Sequence, residues 1–428
     1  MDTFSFSVNY DGEWDIIVCG GGVAGIACAV EARSLGAKVL LLEKGQMLGG
    51  CYTQGLVSPP LGDFTENSFA HKIITALGRV NGDGTSVDFE KAKILFTKLA
   101  FDAGVEVFYG CSVCQAIKDG NTITSVVYST QNGLHYAKGK IFIDATGDGV
   151  LSALAGEKTE YGRADGLVQP MSIMFTDQGV DENQDIICYH EEMDTKLAKG
   201  NYLALCRKAN AEGKLPPAVN IVRLYKGDKK DERMVNATQV NGFNPLNPSE
   251  VGVATADLRS QIDMVVDFLK DNVEGFENIR VKTSSVGAMA RESRRVAGLY
   301  TMTAEDLLEG KKHHDVIVHN AAFCIDIHNP SGAGQSEQDG RPKQSKPYDI
   351  PYRAVVPSVS DNLYTAGRCI SGTHRAHASY RVMNICLNVG QAVGIASALC
   401  VKLNKTAKTL DYKLVQDELA KRGIDLFN

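Results

Sequence analysis

The chain has 428 residues, long enough for two or three domains, and 44% of them are hydrophobic, enough for a substantial core. Its net charge of −6 is spread without a block of like charge, which argues against nucleic acid or an anionic membrane surface as a partner. Eleven cysteines, an odd number scattered through apolar segments, fit a reducing cytoplasmic setting, and the start MDTFSFSVNYDGEW has neither the basic residues nor the apolar run of a signal peptide.

Asp15–Cys19 is a short apolar run suited to a buried strand, followed by Gly20, Gly22 and Gly25 as GxGxxG and then by an Ala-rich helix. The glycines allow a tight turn, close backbone approach to a pyrophosphate, and close packing of helix on strand. Unpaired N–H groups and the positive end of the helix dipole suit that same anion. Lys38–Leu42 is the second strand, and Glu43, followed by Lys44, ends it where a carboxylate can accept from adenosine ribose hydroxyls. A second glycine pair, Gly49-Gly50, lets the chain pass close to a pyrophosphate again, and Cys51 behind it is expected beside the bound cofactor, an inert packing role being favoured over a redox or covalently linked thiol.

Residues 88–104 read as a helix capped by Asp88, with Ala92, Leu95 and Leu99 at helical spacing. Val105–Phe108, Ser112–Ile117, Thr122–Tyr128 and Leu134–Tyr136 read as a small β-meander turning at Gly120-Asn121 and Asn132-Gly133, with Val113 as an adenine contact. Cys111 and Cys114 lack a second CxxC to complete a zinc or iron–sulfur site. A further strand over KIFIDATGDG (140–149) brings Ala145, Thr146 and Gly147 to the nucleotide from the far side.

From residue 166 to about 345 short strands mix with helices near 181–211 and 255–272, giving a candidate substrate or cap domain. In it Asp326 and His328 read as a hydrogen-bonded pair closing the site; two ligands with no third do not make a metal centre, and no metal is expected. Ser331–Lys346 reads as a surface loop or a lid. The nucleotide domain resumes over 346–405, where Tyr352 and Arg353 are expected at the pocket. Val382–Val401 reads as a buried helix and not a membrane span, because of Asn384, Asn388 and Gln391. Residues 406–428 form a C-terminal helix and tail. The expected fold is therefore α/β: a Rossmann-like three-layer nucleotide domain (1–165 and 346–405) with an inserted β-meander, and a second α+β domain.

IDATGDG at 143–149, QPMSIMF at 169–175, RESRRVAGLYTMTAED at 291–306, IDIH at 325–328, IPYRAVVP at 350–357, NLYTAGRCISGTHRAHASYRVM at 362–383 and GQAVG at 390–394 together resemble the FAD-dependent oxidoreductase family, related in fold to the glutathione reductase and fumarate reductase flavoproteins. The resemblance covers nearly the whole chain. It implies FAD as cofactor, with Gly367 and Arg368 at its pyrophosphate and ribityl region and the amides of Asn384 and Ile385, at a helix start, facing the pyrimidine edge of the flavin. The family usually has Pro-Thr where this chain has Asn384-Ile385, and an apolar residue where it has His377. Around the expected flavin ring His374, His377, Tyr380 and Arg381 are the candidates for proton transfer and substrate binding, histidine being the best base near neutral pH. His374 and Arg381 stand on family-matching positions; Arg381 can anchor a substrate carboxylate or pair with an internal Asp or Glu, and the internal partner is the favoured reading.

The function expected is hydride transfer between a small polar organic substrate and FAD, in either direction, with an electron acceptor or donor still to be identified. A flavin-bearing electron-transfer subunit, a monooxygenase and a fold relic are the competing readings. A homo-oligomer is left open.

Overall fold

The computed structural model describes residues 5–57, 59–78, 87–187, 195–334 and 342–427. Strand β1 (Val8–Cys19) leads through the glycine turn into helix α1 (Val23–Ser34) and strand β2 (Val39–Glu43). Helix α2 (Phe89–Asp102) follows; Asp88 caps it by accepting from the amides of Glu90 and Lys91. Then come β3 (Glu106–Tyr109), β4 (Ser112–Asp119), β5 (Thr122–Thr130) and β6 (Gly133–Asp144).

These strands form one sheet in the order β3-β2-β1-β6-β5-β4. The β3, β2, β1 and β6 neighbours pair in parallel, and the β6-β5-β4 meander is antiparallel. Two expectations change here. The run near 105–108 is not part of the meander but the parallel edge strand beside β2. The segments expected as Leu134–Tyr136 and a separate strand from Lys140 are one strand, β6. Gly139 does not break it: a Cβ there would sit 3.1 Å from Ile17 and Phe142, so a bare backbone is what lets neighbouring side chains close over the strand.

The second domain carries strand β7 (Phe175–Gln178), helix α3 (Tyr202–Ala211), strands β8 (Arg223–Lys226) and β9 (Glu232–Asn236), helix α4 (Pro248–Asn272) and strand β10 (Arg280–Ser284). Its antiparallel sheet runs β8-β9-β7-β10. Asn247 caps α4 and Pro248 opens it, so the helix starts earlier than the expected 255. Of the helix expected near 181–211 only Tyr202–Ala211 is helical; residues 188–194 lie outside the described residues.

Phe175, Tyr202, Leu224, Val235, Leu258 and Phe268 belong to a core of their own, drawn from residues 171–290. Met302, Leu307 and Val316, counted with the cap by sequence, pack in the nucleotide domain's core instead. The chain re-enters that domain through the hairpin β11 (Val316–Ala321) and β12 (Tyr348–Pro351). The loop expected over Ser331–Lys346 lies partly, at 335–341, outside the described residues.

Strand β13 (Leu363–Thr365) then pairs in parallel with the end of β6, Thr365 opposite Asp144. Helix α5 (His374–Tyr380) and helix α6 (Met383–Leu403) complete the domain. By length and composition α6 is the one helix among the described residues that could cross a membrane, but 89% of its most apolar window is buried in the fold. It lies directly on α1: a Cβ at Gly390 would come 2.3 Å from the carbonyl oxygen of Ala24, and one at Gly394 2.4 Å from that of Cys28. This small-residue seam joins the two ends of the chain into one layer. Ile16 and Val18 of β1 face that helical layer, while Ile17 and Cys19 face the meander side.

Candidate active site

A cleft of about 410 Å³ runs along the C-terminal ends of the parallel strands, the usual position for a ligand in an open α/β sheet. The glycine turn floors one end. Gly20 has φ of +107°, which its lack of a side chain permits. Gly25 lies so close to the strand that a Cβ would be 1.9 Å from the Gly20 carbonyl oxygen. Gly22 differs: it lines the cleft, and a Cβ there would meet nothing within 4 Å of protein. Helix α1 starts at Gly22 with no side-chain cap and no acidic residue in its first turn. An uncapped, positively polarised helix end beside empty space at a glycine suits a pyrophosphate, so the residues present fit FAD.

Glu43 is buried on the cleft wall, where Oε2 accepts from the amide of Gly21 at 2.6 Å and Oε1 from that of Gly45 at 2.7 Å. Lys44, Gly50, Cys51, Val113, Ala145, Thr146 and Gly147 also line the cleft, as do Gly367 and Arg368 from the far end of the chain. Gly49 is not on the lining; its amide donates to the Gly21 carbonyl at 2.9 Å and holds the second glycine pair against the first turn. Arg368 donates from Nε to the Gly147 carbonyl at 2.8 Å and pairs with Asp148. Burial pushes the Asp148 carboxyl up, but Arg368 and the Ser293 hydroxyl outweigh it and hold it below its usual range.

The opposite end of the cleft changes the expected catalytic set. Arg381 lines it, together with Met383 and Cys386. His374 does not: its Nδ1 lies 2.8 Å from Oε2 of the fully buried Glu292, and its ring borders a separate surface depression with Glu160, Tyr161 and Arg375. His377 is 1% exposed and off the cleft; burial, then Arg295 and Arg381, push its pKa far down and keep it neutral. Tyr380 is fully buried and donates to the Ile370 carbonyl at 3.0 Å. The expectation that one of the two histidines faces the flavin is therefore corrected: helix α5 turns both into the protein.

Asn384 and Ile385 are fully buried and off the lining. The Asn384 amide donates to the Leu61 carbonyl at 3.2 Å, so it is not the flavin donor expected of it. Tyr352 and Arg353 are also elsewhere, Tyr352 against Tyr364 and Arg353 on Asp315.

What the sequence reading missed is the setting of Arg381. Its Nη2 meets Asp326 Oδ2 at 3.1 Å, which supplies the expected internal partner, and Nε2 of His328 approaches the same oxygen at 3.6 Å. Burial raises the Asp326 pKa, but His328, Arg381 and Arg223 together carry it well below the carboxylate range. Burial, then Arg291, push His328 down to about 3, so it is neutral. Arg291 donates to the Pro170 carbonyl and Ser172 Oγ, and burial, then Arg381, lower it to about 9. Arg223 stands on a cap strand with no local pattern to single it out, and Arg291 opens the family-like segment 291–306, where nothing local ties it to Arg381.

The family model for FAD dependent oxidoreductases matches residues 15–419. Among curated proteins, vinyl phenol reductase of Lactiplantibacillus plantarum is 58% identical over 45 residues, 10% of this chain and 9% of that protein. Digeranylgeranylglycerophospholipid reductase 2 of Methanopyrus kandleri is 27% identical over 211 residues, 44% of this chain and 50% of that protein. The chain thus spans half or less of the curated relatives it matches. Among solved structures, a geranylgeranyl bacteriochlorophyll reductase-like protein of Thermoplasma acidophilum superposes with a TM-score of 0.51 at 12% identity, covering 96% of this chain and 84% of that one. The flavin-dependent brominase Bmp2 gives a TM-score of 0.50 at 15% identity, over 96% of this chain and 83% of that one. These two likenesses show the fold.

Proposed function

The chain belongs to the FAD-dependent oxidoreductase family, and on that premise we propose that it transfers a hydride between a small polar organic molecule and FAD. The observation that carries this reading is the composition of the cleft's far end. There the nucleotide domain supplies Arg381, and the cap supplies Met171, Met289 and Ala290, so one charged group faces an apolar wall beyond the nucleotide turn.

FAD, when bound, supplies a two-electron carrier whose ring exchanges a hydride with a carbon of the substrate. This chain's residues hold and orient. The amides at the start of α1 and the bare Gly22 receive the pyrophosphate, and Glu43, fixed by Gly21 and Gly45, receives the ribose. Arg368, neutralised by Asp148, braces the middle of the cleft. Arg381, held by Asp326, orients a polar group of the substrate and stabilises negative charge there, while the apolar cap wall limits water.

The test is anaerobic: FAD-loaded protein is mixed with a panel of small alcohols, amines and carbonyl-conjugated alkenes, and flavin absorbance is followed. Bleaching of the oxidised form, or reoxidation of the reduced form, by a panel compound supports the reading. A flavin that exchanges electrons with redox proteins and dyes but with no panel compound overturns it in favour of an electron-transfer subunit.

A further inference from the structure

Two thiols on the cleft wall take no part in the function proposed above. Cys51 is half-buried and directly follows the second glycine pair. Cys386 is 4% exposed and lies in the first turn of α6, three residues after Met383 and so on the same helix face. Both line the cleft together with Arg368. Cys369, the thiol next to that arginine in the chain, is fully buried and off the lining.

The fold brings these two thiols toward one another. The Cys51 carbonyl accepts from the amide of Val57 at 2.9 Å, and further on the chain lies against the start of α6. There the Leu61 carbonyl accepts from the Asn384 amide at 3.2 Å and the Gly62 carbonyl from Asn384 Nδ2 at 2.6 Å. The cap closes the other side: a Cβ at Gly55 would lie 3.1 Å from Cα of Cys51 and 3.2 Å from Cε of Met289. The charges agree. Cys51 and Cys386 both act on the Arg368 guanidinium, and burial, then the Cys51 thiol, push Cys386 up to about 12 against Arg368 and Arg381. The two cysteines differ in freedom. Cys386 is held on a helix, and its Sγ donates to the Arg381 carbonyl at 3.3 Å. Cys51 has Gly49 (φ +106°) and Gly50 (φ +50°) before it and Gly55 behind it, so its backbone can turn toward a fixed partner. A disulfide needs Cα atoms within about 4.4–6.8 Å, and this glycine loop is the element that has to supply the approach.

We infer that Cys51 and Cys386 are a redox-modified pair, whose disulfide closes the cleft beyond the glycine turn and excludes FAD. The inference goes beyond the hydride-transfer reading and does not depend on it. With the pyrophosphate on the glycine turn, the cleft left for the ring is the stretch that Cys51, Met289, Met383 and Cys386 line, so disulfide and ring need the same space. The oxidant is a low-molecular-weight disulfide such as oxidised glutathione. The Cys51 thiolate attacks it, releases one glutathione and becomes a mixed disulfide; the Cys386 thiolate then attacks the Cys51 sulfur and releases the second. One S–S bond breaks and one forms between the cysteines. The pair gives up two electrons and two protons, and both end on the two released glutathione thiols. Burial of Cys386 makes the second step the slow one. The coupling is reciprocal: whatever factor the disulfide takes from FAD affinity, bound FAD takes from disulfide formation.

The test uses the full chain freed of FAD, and shown to regain it in reductant, beside the FAD-loaded chain. Each is treated with oxidised glutathione, the remaining thiols are alkylated, and unreduced peptides are mapped by mass. Equilibrium FAD binding is measured before and after treatment. The expected result in the FAD-free chain is a peptide linked through Cys51 and Cys386, preceded in time by glutathione on Cys51. FAD binding should fall at least tenfold and return with dithiothreitol. The FAD-loaded chain should form the link at least tenfold more slowly. In Cys51→Ser and in Cys386→Ser, FAD affinity, whatever its value in reductant, should no longer change on oxidation; either variant suffices if the other does not fold. The inference is overturned if only mixed disulfides form, if the linked chain binds FAD like the reduced one, or if the variants lose FAD on oxidation as the parent does. Exchange of electrons with the substrate panel is read on the reduced, FAD-loaded chain, so the hydride-transfer reading stands or falls separately.

Discussion

Nδ1 of His374 lies 2.9 and 2.8 Å from the two carboxylate oxygens of Glu292, a residue fully buried 82 positions earlier in the chain. Glu292 also accepts from Arg295 and from the amide of Gln169. The histidine is thus one arm of a buried polar knot that ties helix α5 to the start of the cap, and not a group poised over the cleft.

His374→Ala should accordingly cost stability and spare chemistry. It leaves a buried carboxylate with two of its three partners, so the loss should be about 2–4 kcal/mol, short of the full cost of orphaning a buried charge. Thermal melts of the FAD-loaded variant measure this, and the rate of flavin reduction by substrate should stay within about threefold, far from the ~10²–10⁴ expected of a lost general base. An unchanged melting temperature with a hundredfold slower flavin reduction would return His374 to the chemistry.

The motif glycines should fail in different ways. Gly22 has φ of −69°, ordinary for alanine, and open space where a Cβ would go. Gly22→Ala should fold with apo stability within about 0.5 kcal/mol of the parent, yet lose FAD affinity by about tenfold or more, because the methyl fills the cradle of the pyrophosphate. Gly25→Ala must push the Gly20 carbonyl away from 1.9 Å and should lose about 3 kcal/mol or more of stability, with FAD loss following from it. Melts with and without FAD, together with equilibrium FAD binding, separate the two. A Gly22→Ala protein that binds FAD like the parent would place the pyrophosphate elsewhere.

The nucleotide half of the site was legible because its requirements are local. Gly20 and Gly25 are demanded by backbone geometry within one turn, Gly22 by the open cradle beside it, and Glu43 by the end of one strand, so sequence spacing carries them. The continuity of β6 was not legible, since Gly139 looks like a break until Ile17 and Phe142 are seen to need its missing side chain. The catalytic end was least legible. His374 has the same appearance in sequence whether it faces a ligand or Glu292, and Arg223, Arg291, Arg381 and Asp326 come together only through pairing across two domains. A cluster assembled from four separate stretches of chain leaves no spacing to read.

Asp177 carries the remaining prediction, and it lies in the cap. It sits on β7, two residues from the core residue Phe175 and so on the same face of the sheet, fully buried, with neither carboxylate oxygen hydrogen-bonded among the described residues. Burial pushes its pKa up to about 7, with Lys270 only partly opposing the rise. The folded state therefore holds a proton that the unfolded chain, at 3.8, releases earlier. The sign follows from linkage: between about pH 4 and pH 7 the native state binds more protons, so stability falls as pH rises through that window and levels off above it. The total fall due to this one group is of order a few kcal/mol, since each tenfold gain in proton affinity on folding is worth about 1.4 kcal/mol. Asp177→Asn keeps the shape and removes the titration, so the variant should match the parent near pH 4 and be the more stable protein at pH 8. Denaturant unfolding of both proteins across pH 4–8 checks this. Parallel stability curves for the two would mean that Asp177 finds a cation or water in the fold and is ionised throughout.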